Sequence, residues 1–369
     1  MKRCKRLGKR RLFDEIISYN NIKKAIYSAA KGHRREDKVL WMLEHIDEAI
    51  VEIRDMIIKG FRYGKFVRRT ITERGKKRKL MYTETYPDRV VQHAVFNVVT
   101  PILHSTIPST AFAAVKGRGI HKGAQKVFSD MQKDWRGTRF SLKMDIYHFF
   151  QSIDRDVLFD MLKRRIKCRR TLDILHTFIF GAPKSGLPIG LYSSQILSVF
   201  YLSSLDHYCK ERLGIKYYYR YMDDIVILSS DKTRLHNIRR YIARFLHDKL
   251  NLRVKGNWAV FPVMKRRLDF MGFVMNHHHV AIRKSTKLSM KKAYIRLKKA
   301  LKSCRIISNR LWNSFATYLG LLSWISSPVL RTDYIHMINN AISIYPPVNR
   351  IPSGFRPYIL YPSNYTYLS

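Results

Sequence analysis

Two adjacent aspartates, Asp223 and Asp224, sit between the apolar runs Tyr217–Tyr221 and Ile225–Leu228. Adjacent carboxylates repel one another and lose hydration in an apolar setting, so the pair points to a cation that offsets both effects. Hard oxygen ligands select Mg²⁺, which is held by one or two carboxylates together with substrate phosphates. A third acid, Asp145, lies in the run Phe140–Ile146, where Leu142 and Met144 alternate with Lys143 and Asp145. If the two runs are neighbouring strands, Asp145 and Asp223 bracket two ions roughly 3.5–4 Å apart, an arrangement suited to displacement at phosphorus. One ion would activate an attacking hydroxyl; the other would hold a triphosphate and stabilise the leaving pyrophosphate. Taken singly, each acid also has a plainer reading. Asp145 can be a solvent-facing strand end, and Asp223-Asp224 can be ordinary turn acids.

The elements that must position these acids are legible in the spacing of apolar residues. Residues 12–60 read as two helices, the second over Glu36–Lys59 with Val39, Leu40, Leu43, Ile46, Ile50, Ile53 and Ile57 at three- and four-residue intervals. Lys65–Thr83 alternates and breaks at Glu73–Lys76, which predicts a β-hairpin. Its basic residues, Arg78 and Lys76 among them, can lie on phosphates or simply face water. A helix follows over Arg89–Leu103, ending near Pro101, then a strand at Phe140–Ile146 and a helix at Asp154–Arg165. After the Gly181–Pro188 loop a second helix runs to about Leu213, with Leu197, Tyr201, Leu205 and Tyr208 as its core stripe. Tyr217–Tyr221 and Ile225–Leu228 are strands flanking the acids, and Tyr217, Tyr218 and Tyr219 alternate faces, so at most some of them meet a bound duplex. Leu268–Met275 and Val280–Ile282 read as a strand pair joined by Asn276 to His279. His277, His278 and His279 cannot all face one ion and read as a solvent-exposed turn. Beyond residue 284, Tyr294, Leu297, Leu301 and Cys304 form one helical stripe, and Leu311, Phe315, Tyr318 and Leu322 another.

Bulk properties narrow the partner. The chain has 369 residues, 46% of them hydrophobic and 12% aromatic, enough for a folded core of two or three subdomains. Its 70 Lys and Arg against 27 acids give a formal net charge of +43. Such a surface calls for a polyanion, and nucleic acid makes the charge productive by releasing condensed counterions. No apolar run of about 18 residues is present to span a bilayer, and the first residues lack the apolar stretch of a secretory signal. Four scattered cysteines (Cys4, Cys168, Cys209 and Cys304) suggest neither a zinc site nor a disulfide framework, which fits a reducing cytoplasm.

Tyr221-Met222-Asp223-Asp224 followed by Ile225–Leu228 resembles the palm signature of reverse transcriptases, and other blocks of that family follow in order across about residues 60–280. The resemblance implies an α+β right-hand polymerase: fingers, a palm of antiparallel sheet packed on helices, and a helical thumb. Residues 1–130 would form an N-terminal extension and fingers. Residues 131–283 would be the palm with a fingers segment at about 155–190, and residues 284–369 a basic helical thumb and tail. Asp145 and Asp223, with Ile146 beside the first and Asp224 in support, would hold two Mg²⁺ ions. Arg78, with Lys76, would bind the triphosphate. Phe150 falls where the family places a ring that clashes with a ribose 2′-hydroxyl; it can equally be a core residue. Lys116–Ile120 resembles the second block, in which Arg118 would touch template or phosphate or be part of a plain basic loop. Leu268–Phe273, with Phe270, Met271 and Gly272, resembles the primer grip, with Lys255 as the lysine preceding it. Tyr221 and Met222 would lie along primer and template.

One block narrows the resemblance. Most reverse transcriptases carry Gln-Gly-x-x-x-Ser-Pro where this chain has Ile189, Gly190, Ser194 and Gln195. The glycine would let the backbone approach a nucleotide or template base. The isoleucine replaces a hydrogen-bonding side chain near the forming base pair. This pattern resembles diversity-generating retroelement reverse transcriptases. It implies cDNA copied from a template RNA with errors opposite adenine, and a small helical-bundle accessory protein. The host would be bacterial, archaeal or phage. No His-Asn-His nuclease pattern is present, and the stretch after the thumb is too short for an RNase H domain. Group II intron-like, retron-like or phage-defence enzymes, or a silent RNA-binding scaffold, remain the alternatives.

Overall fold

The computed structural model describes residues 11–73, 76–183 and 185–302, with five further positions between 311 and 321. Phe315 and Leu322 of the second expected stripe, and most of the expected thumb, lie outside the described residues. By contact the chain groups into two units: residues 1–119 with 140–260, and residues 120–139 with 261–369. The linear division at 130 and 283 therefore cuts through the second unit, which takes up the segment before the Phe140 strand.

In the first unit, β1 (Val67–Glu73) and β2 (Lys76–Tyr82) form the expected antiparallel hairpin, paired from Val67↔Tyr82 to Glu73↔Lys76. β3 (Phe140–Asp145), β4 (Tyr217–Tyr221) and β5 (Asp224–Ser229) form an antiparallel sheet ordered β4-β5-β3, with β6 (Ala259–Pro262) beyond β3. The pleat turns Leu142 and Met144 of β3 and Ile225 and Ile227 of β5 into one core. A helix at Lys232–Leu250 closes that core with Leu235, Ile238, Ile242, Leu246 and Leu250. Burying each such side chain contributes roughly 1.5–3 kcal/mol. Asp231 caps this helix by accepting from the Thr233 and Arg234 N–H groups at 2.7 and 3.2 Å. Tyr201, on the Tyr192–Tyr201 helix, donates from its hydroxyl to the Leu250 carbonyl at 2.6 Å and joins the two helices.

Several helices differ from the spacing-based expectation, each for a local reason. Glu36–Lys59 is two helices, Asp37–Glu44 and Ile46–Lys59, because His45 leaves helical geometry at φ −114°, ψ 53°. Residues 11–30 likewise split into Arg11–Ile16 and Tyr19–Ala29, with Ser18 capping the second. The helix at Val90–His104 runs through Pro101, which near a C-terminus forfeits only one backbone bond. The helix expected to reach Leu213 stops at Tyr201 and resumes as Ser203–His207 and a wider turn at Tyr208–Arg212. Helices at Arg169–Phe180 and Lys232–Leu250 had no counterpart in the sequence reading.

The second unit contains a helix at Ile120–Lys133, also unanticipated, and a meander of β7 (Leu268–Phe270), β8 (Phe273–Met275) and β9 (Val280–Ile282). The run Leu268–Met275 is thus two strands, turned by Met271 and Gly272 at φ 52° and 89°. His277 is not part of an exposed turn. It is 6% exposed, with Nε2 3.1 Å from the Thr138 hydroxyl, and burial lowers its pKa. The buried Asn276 organises the reversal by accepting from the His278 and His279 N–H groups. In the helix Lys284–Lys302, Met290, Ala293 and Leu297 are buried, and Leu297 belongs to the stripe expected there.

Candidate active site

The β3–β5 register places Asp145 directly opposite Asp224, and the β4–β5 register places Tyr221 opposite Asp224. Met222 and Asp223 are therefore the two residues of a tight turn, with Met222 in the left-handed region at φ 53°. Three carboxylates from two distant stretches of sequence meet at one end of the sheet. Pleat alternation puts Lys143 and Asp145 on the face opposite the helix-covered Leu142 and Met144.

The electrostatics of this cluster are only partly compensated. Burial pushes Asp224 up to about 7, the Lys143 ammonium pulls it back, and Asp145 and Asp223 push it further. Lys143 Nζ stands 3.3 Å from Asp224 Oδ2, while Asp224 Oδ1 is buried without a hydrogen-bond partner. Asp223 is also raised, chiefly by burial; its own N–H lowers it, Asp145 raises it, and the charges of Arg78 and Lys255 lower it. Lys255 is brought to the site by its backbone N–H, which donates to the Asp145 carbonyl at 2.8 Å. Next to that contact, Ile146 is buried and bridges Val254.

A divalent cation suits this donor set: hard oxygens, mutual repulsion and an orphaned buried carboxylate oxygen. Among the described residues, no group of three or more His, Cys, Asp or Glu is arranged to hold a metal ion by itself. Mg²⁺ does not need one, since it completes its shell with water and substrate phosphates.

The loop before the Tyr192–Tyr201 helix is built against the hairpin. Ile189, half-buried, accepts at its carbonyl from the Met81 N–H at 2.8 Å. Gly190 has φ 123°, and a Cβ there would lie 2.5 Å from the Met81 carbonyl oxygen. The close approach that demands glycine here is thus to β2, three residues beyond Arg78. Arg155 donates to the Gly186 carbonyl at 2.7 Å and the Ala182 carbonyl at 3.1 Å, and Leu187 N–H donates to the Phe150 carbonyl at 2.7 Å. Phe150 is half-buried beside Phe149, and Gln195 is exposed. Lys76 and Arg78 both lie on β2, with Arg78 exposed.

The remaining expected residues divide by what they touch. Arg118 turns its guanidinium onto the carbonyls of Pro108, Ala111 and Ile107, and burial lowers its pKa. This pins the segment that lies along the edge of β4, where Phe112 N–H donates to the Arg220 carbonyl at 2.9 Å. Tyr221 and Met222 pack against Ile107, Ala111, Ala113 and Val199 in the same satellite cluster. Both neighbours of Tyr217 in the triple tyrosine, Tyr218 and Tyr219, are buried. Phe270, Met271 and Gly272 belong to the second unit, with Phe270 and Met271 buried in its β7–β8 hairpin.

Beneath the acidic turn lies a cluster that the sequence reading missed. Arg220 and Asp206 are both fully buried, with Arg220 Nε 2.7 Å from Asp206 Oδ1 and Nη2 2.5 Å from Oδ2. Tyr218 donates to Asp206 Oδ1 at 2.7 Å, and Arg220 Nη1 donates to the Met222 carbonyl at 3.1 Å. Burial opposes the guanidinium's charge, but the Asp206 carboxylate outweighs it and holds Arg220 protonated. The available signal was strand parity: Arg220 shares a face with Tyr218, so an inward arginine required an inward acid.

The family model described as reverse transcriptase (RNA-dependent DNA polymerase) matches residues 71–275, a span holding β2 with the end of β1, all three aspartates and the primer-grip-like hairpin. The chain belongs to the reverse transcriptase family. This reverse transcriptase is similar to Protein YkfC of Escherichia coli K12, at 24% identity over 228 residues covering 50% of this chain and 60% of that protein. It is also similar to the group II intron-encoded protein LtrA of Lactococcus lactis subsp. cremoris, at 22% identity over 203 residues covering 52% and 33%. The matches span between a third and three-fifths of these relatives' length. In structure it is similar to apo telomerase from Candida tropicalis, with a TM-score of 0.52 at 13% identity, covering 77% of this chain and 58% of that one. That likeness is one of fold: mixed helix and antiparallel sheet of the right-hand polymerase type.

Proposed function

We propose that this reverse transcriptase is an RNA-directed DNA polymerase, extending a primer 3′-hydroxyl on an RNA template with deoxynucleoside triphosphates. One observation carries the reading: Asp145 stands opposite Asp224 across β3–β5, with Asp223 in the turn beside them under the charges of Arg78 and Lys255. Asp145 and Asp223, with Asp224 in support and the Ile146 backbone adjoining, would hold two Mg²⁺ ions. Bound there, the metal would lower the pKa of the attacking hydroxyl and offset charge on the leaving group. The chain's own residues do the rest. Arg78 and Lys76 draw in the triphosphate and neutralise its charge, while the charge of Lys255 opposes the upward push of burial on Asp223. Phe150 would stand beside the sugar and favour deoxynucleotides. Phe270, Met271 and Gly272 would steady the primer end. A primed RNA template with Mg²⁺ and dNTPs tests the reading: the expected product is template-length DNA that vanishes when the template is omitted. Template-independent synthesis would contradict it.

Within the family, we assign the enzyme to the diversity-generating retroelement type, on the Ile189, Gly190, Ser194 and Gln195 pattern. That segment hydrogen-bonds to the strand carrying Arg78, which supports a role for a side chain at 189 beside the nucleotide that Arg78 would bind. The proposal carries with it error-prone copying at template adenines, a helical-bundle accessory partner and a cytoplasmic setting. Replacing Ile189 with Gln and sequencing the cDNA should lower misincorporation opposite adenine; an unchanged spectrum removes the role of Ile189. The LtrA likeness favours a second reading, a group II intron-like enzyme. A wild-type spectrum with no bias toward adenine selects it.

A further inference from the structure

The Lys232–Leu250 helix has an outer face that the polymerisation chemistry does not use. Its inner stripe closes the core against Leu142, Met144, Ile225 and Ile227, so the helix lies on the side of the sheet away from Asp145 and Lys143. Outward it presents Asn237, Arg240, Tyr241 and Arg244, four residues at helical spacing that line a hollow of about 220 Å³. Tyr241 is 50% exposed, and both arginines are exposed. Arg240 donates to Asn237 Oδ1, which fixes one wall of the hollow. Among the described residues no acid pairs with Arg240 or Arg244, and Asp248 is the sole acid of the helix against Lys232, Arg234, Arg239, Arg240, Arg244 and Lys249. The base of the helix is braced: the Arg239 guanidinium lies 4.4 Å from the Trp258 ring centroid, and His236 meets the same ring edge-on.

Two guanidinium groups flanking an exposed phenol ring are the elements of single-strand recognition. Planar forks bind successive phosphates, and the ring accepts a base by stacking, without sequence preference. We propose that this face is a second RNA-binding surface, which holds a single-stranded stretch of RNA lying outside the segment being copied. It thereby tethers the RNA while the catalytic face of the sheet works on another part. The proposal rests on the RNA-templated reading above, and the test separates the two.

The test uses the full chain and the double variant Arg240→Glu, Arg244→Glu, with Tyr241→Ala as a milder second variant. Two measurements are made on each: affinity for a long unstructured RNA such as polyuridylate across a salt series, and extension of a short annealed primer–template whose RNA carries only the few template nucleotides to be copied. The double variant should bind polyuridylate at least tenfold more weakly, with the slope of log affinity against log salt reduced by about 1.4, two phosphates at about 0.7 each. Tyr241→Ala should lose affinity with an unchanged salt slope, because it removes stacking and not charge. Extension on the short primer–template should stay within twofold of wild type. Unchanged affinity and slope in the double variant would overturn the surface. So would parallel loss of extension, because the face would then belong to the catalytic machinery. Equal weakening toward polyglutamate would overturn it too, marking the face as a site for acidic protein. If the wild type extends no primer yet the variants show the predicted binding losses, the polymerase reading fails and the surface stands.

Discussion

Two acidic clusters share the hairpin of β4 and β5, and they are treated in opposite ways. Asp206 is fully buried but fully answered: Arg220 meets both its oxygens and Tyr218 donates to one of them. Asp224, less deeply placed, keeps one buried oxygen without a partner, and together with Asp223 it is raised by burial and by neighbouring acids. A carboxylate in a protein interior is expected to be paired or to bind a cation. The answered cluster serves the fold, and its outward product is the Arg220 hydrogen bond to the Met222 carbonyl, which steadies the acidic turn. The unanswered cluster is left for a ligand. Burial alone therefore does not distinguish a structural acid from a working one; the state of its partners does.

This contrast makes the two clusters respond differently to substitution. Asp206→Ala leaves the Arg220 charge buried and alone, and should destabilise the protein by roughly 3–5 kcal/mol in urea unfolding. Replacing Arg220 and Asp206 together by Met and Leu should recover most of that loss, whereas equal losses would mean the pair is not compensated in the way described. Asp224→Asn should act in the other direction. Asp224 is pushed up to about 7 in the folded protein, against roughly 3.9 when unfolded. Below pH about 4 both states hold the proton; between about 4 and 7 only the folded state does, so stability falls as pH rises through that window. In metal-free protein the asparagine variant should lack this fall and be more stable above pH 7, by on the order of 2–4 kcal/mol. A parallel pH profile for wild type and variant would remove Asp224 as the source.

Smaller effects follow where the comparison is only touched. Gly190→Ala places a Cβ 2.5 Å from the Met81 carbonyl oxygen at φ 123°. It should destabilise the protein by roughly 1–3 kcal/mol and raise the KM for dNTP, since the strand it disturbs carries Arg78. A neutral result would mean that the hairpin yields without strain. Tyr218→Phe removes one of the hydrogen bonds to Asp206 and should lower stability by about 1 kcal/mol, with extension nearly unchanged.

Much of this was readable before any coordinates. Period-two alternation in Phe140–Ile146 placed Asp145 on a strand, and the apolar runs around Asp223 and Asp224 placed that pair between two strands. The break at Glu73–Lys76 placed the basic hairpin. What sequence could not supply were pairings across distance. The Arg220–Asp206 pair joins a strand to a helix end 14 residues upstream, and neither residue stands out in its own segment. Lys143 read as the polar half of an alternating strand until the register set it beside Asp224. Gly190 was read as letting the backbone approach a nucleotide or template base, and no local pattern announced that Met81 also forbids a side chain there. The Lys232–Leu250 helix escaped notice because Arg, Lys and His fill the intervals of its apolar stripe. His277 is buried through a contact with Thr138, 139 residues away, which no local pattern announces.

The central claim is that the unanswered acids, and not the answered ones, do the chemistry. Single-turnover extension of a primed RNA template by Asp223→Asn, beside its urea-unfolding midpoint, tests it most directly. The account predicts a rate lower by about 10²–10³-fold or more, with a midpoint at or above that of the wild type. A variant that extends the primer at the wild-type rate would contradict it.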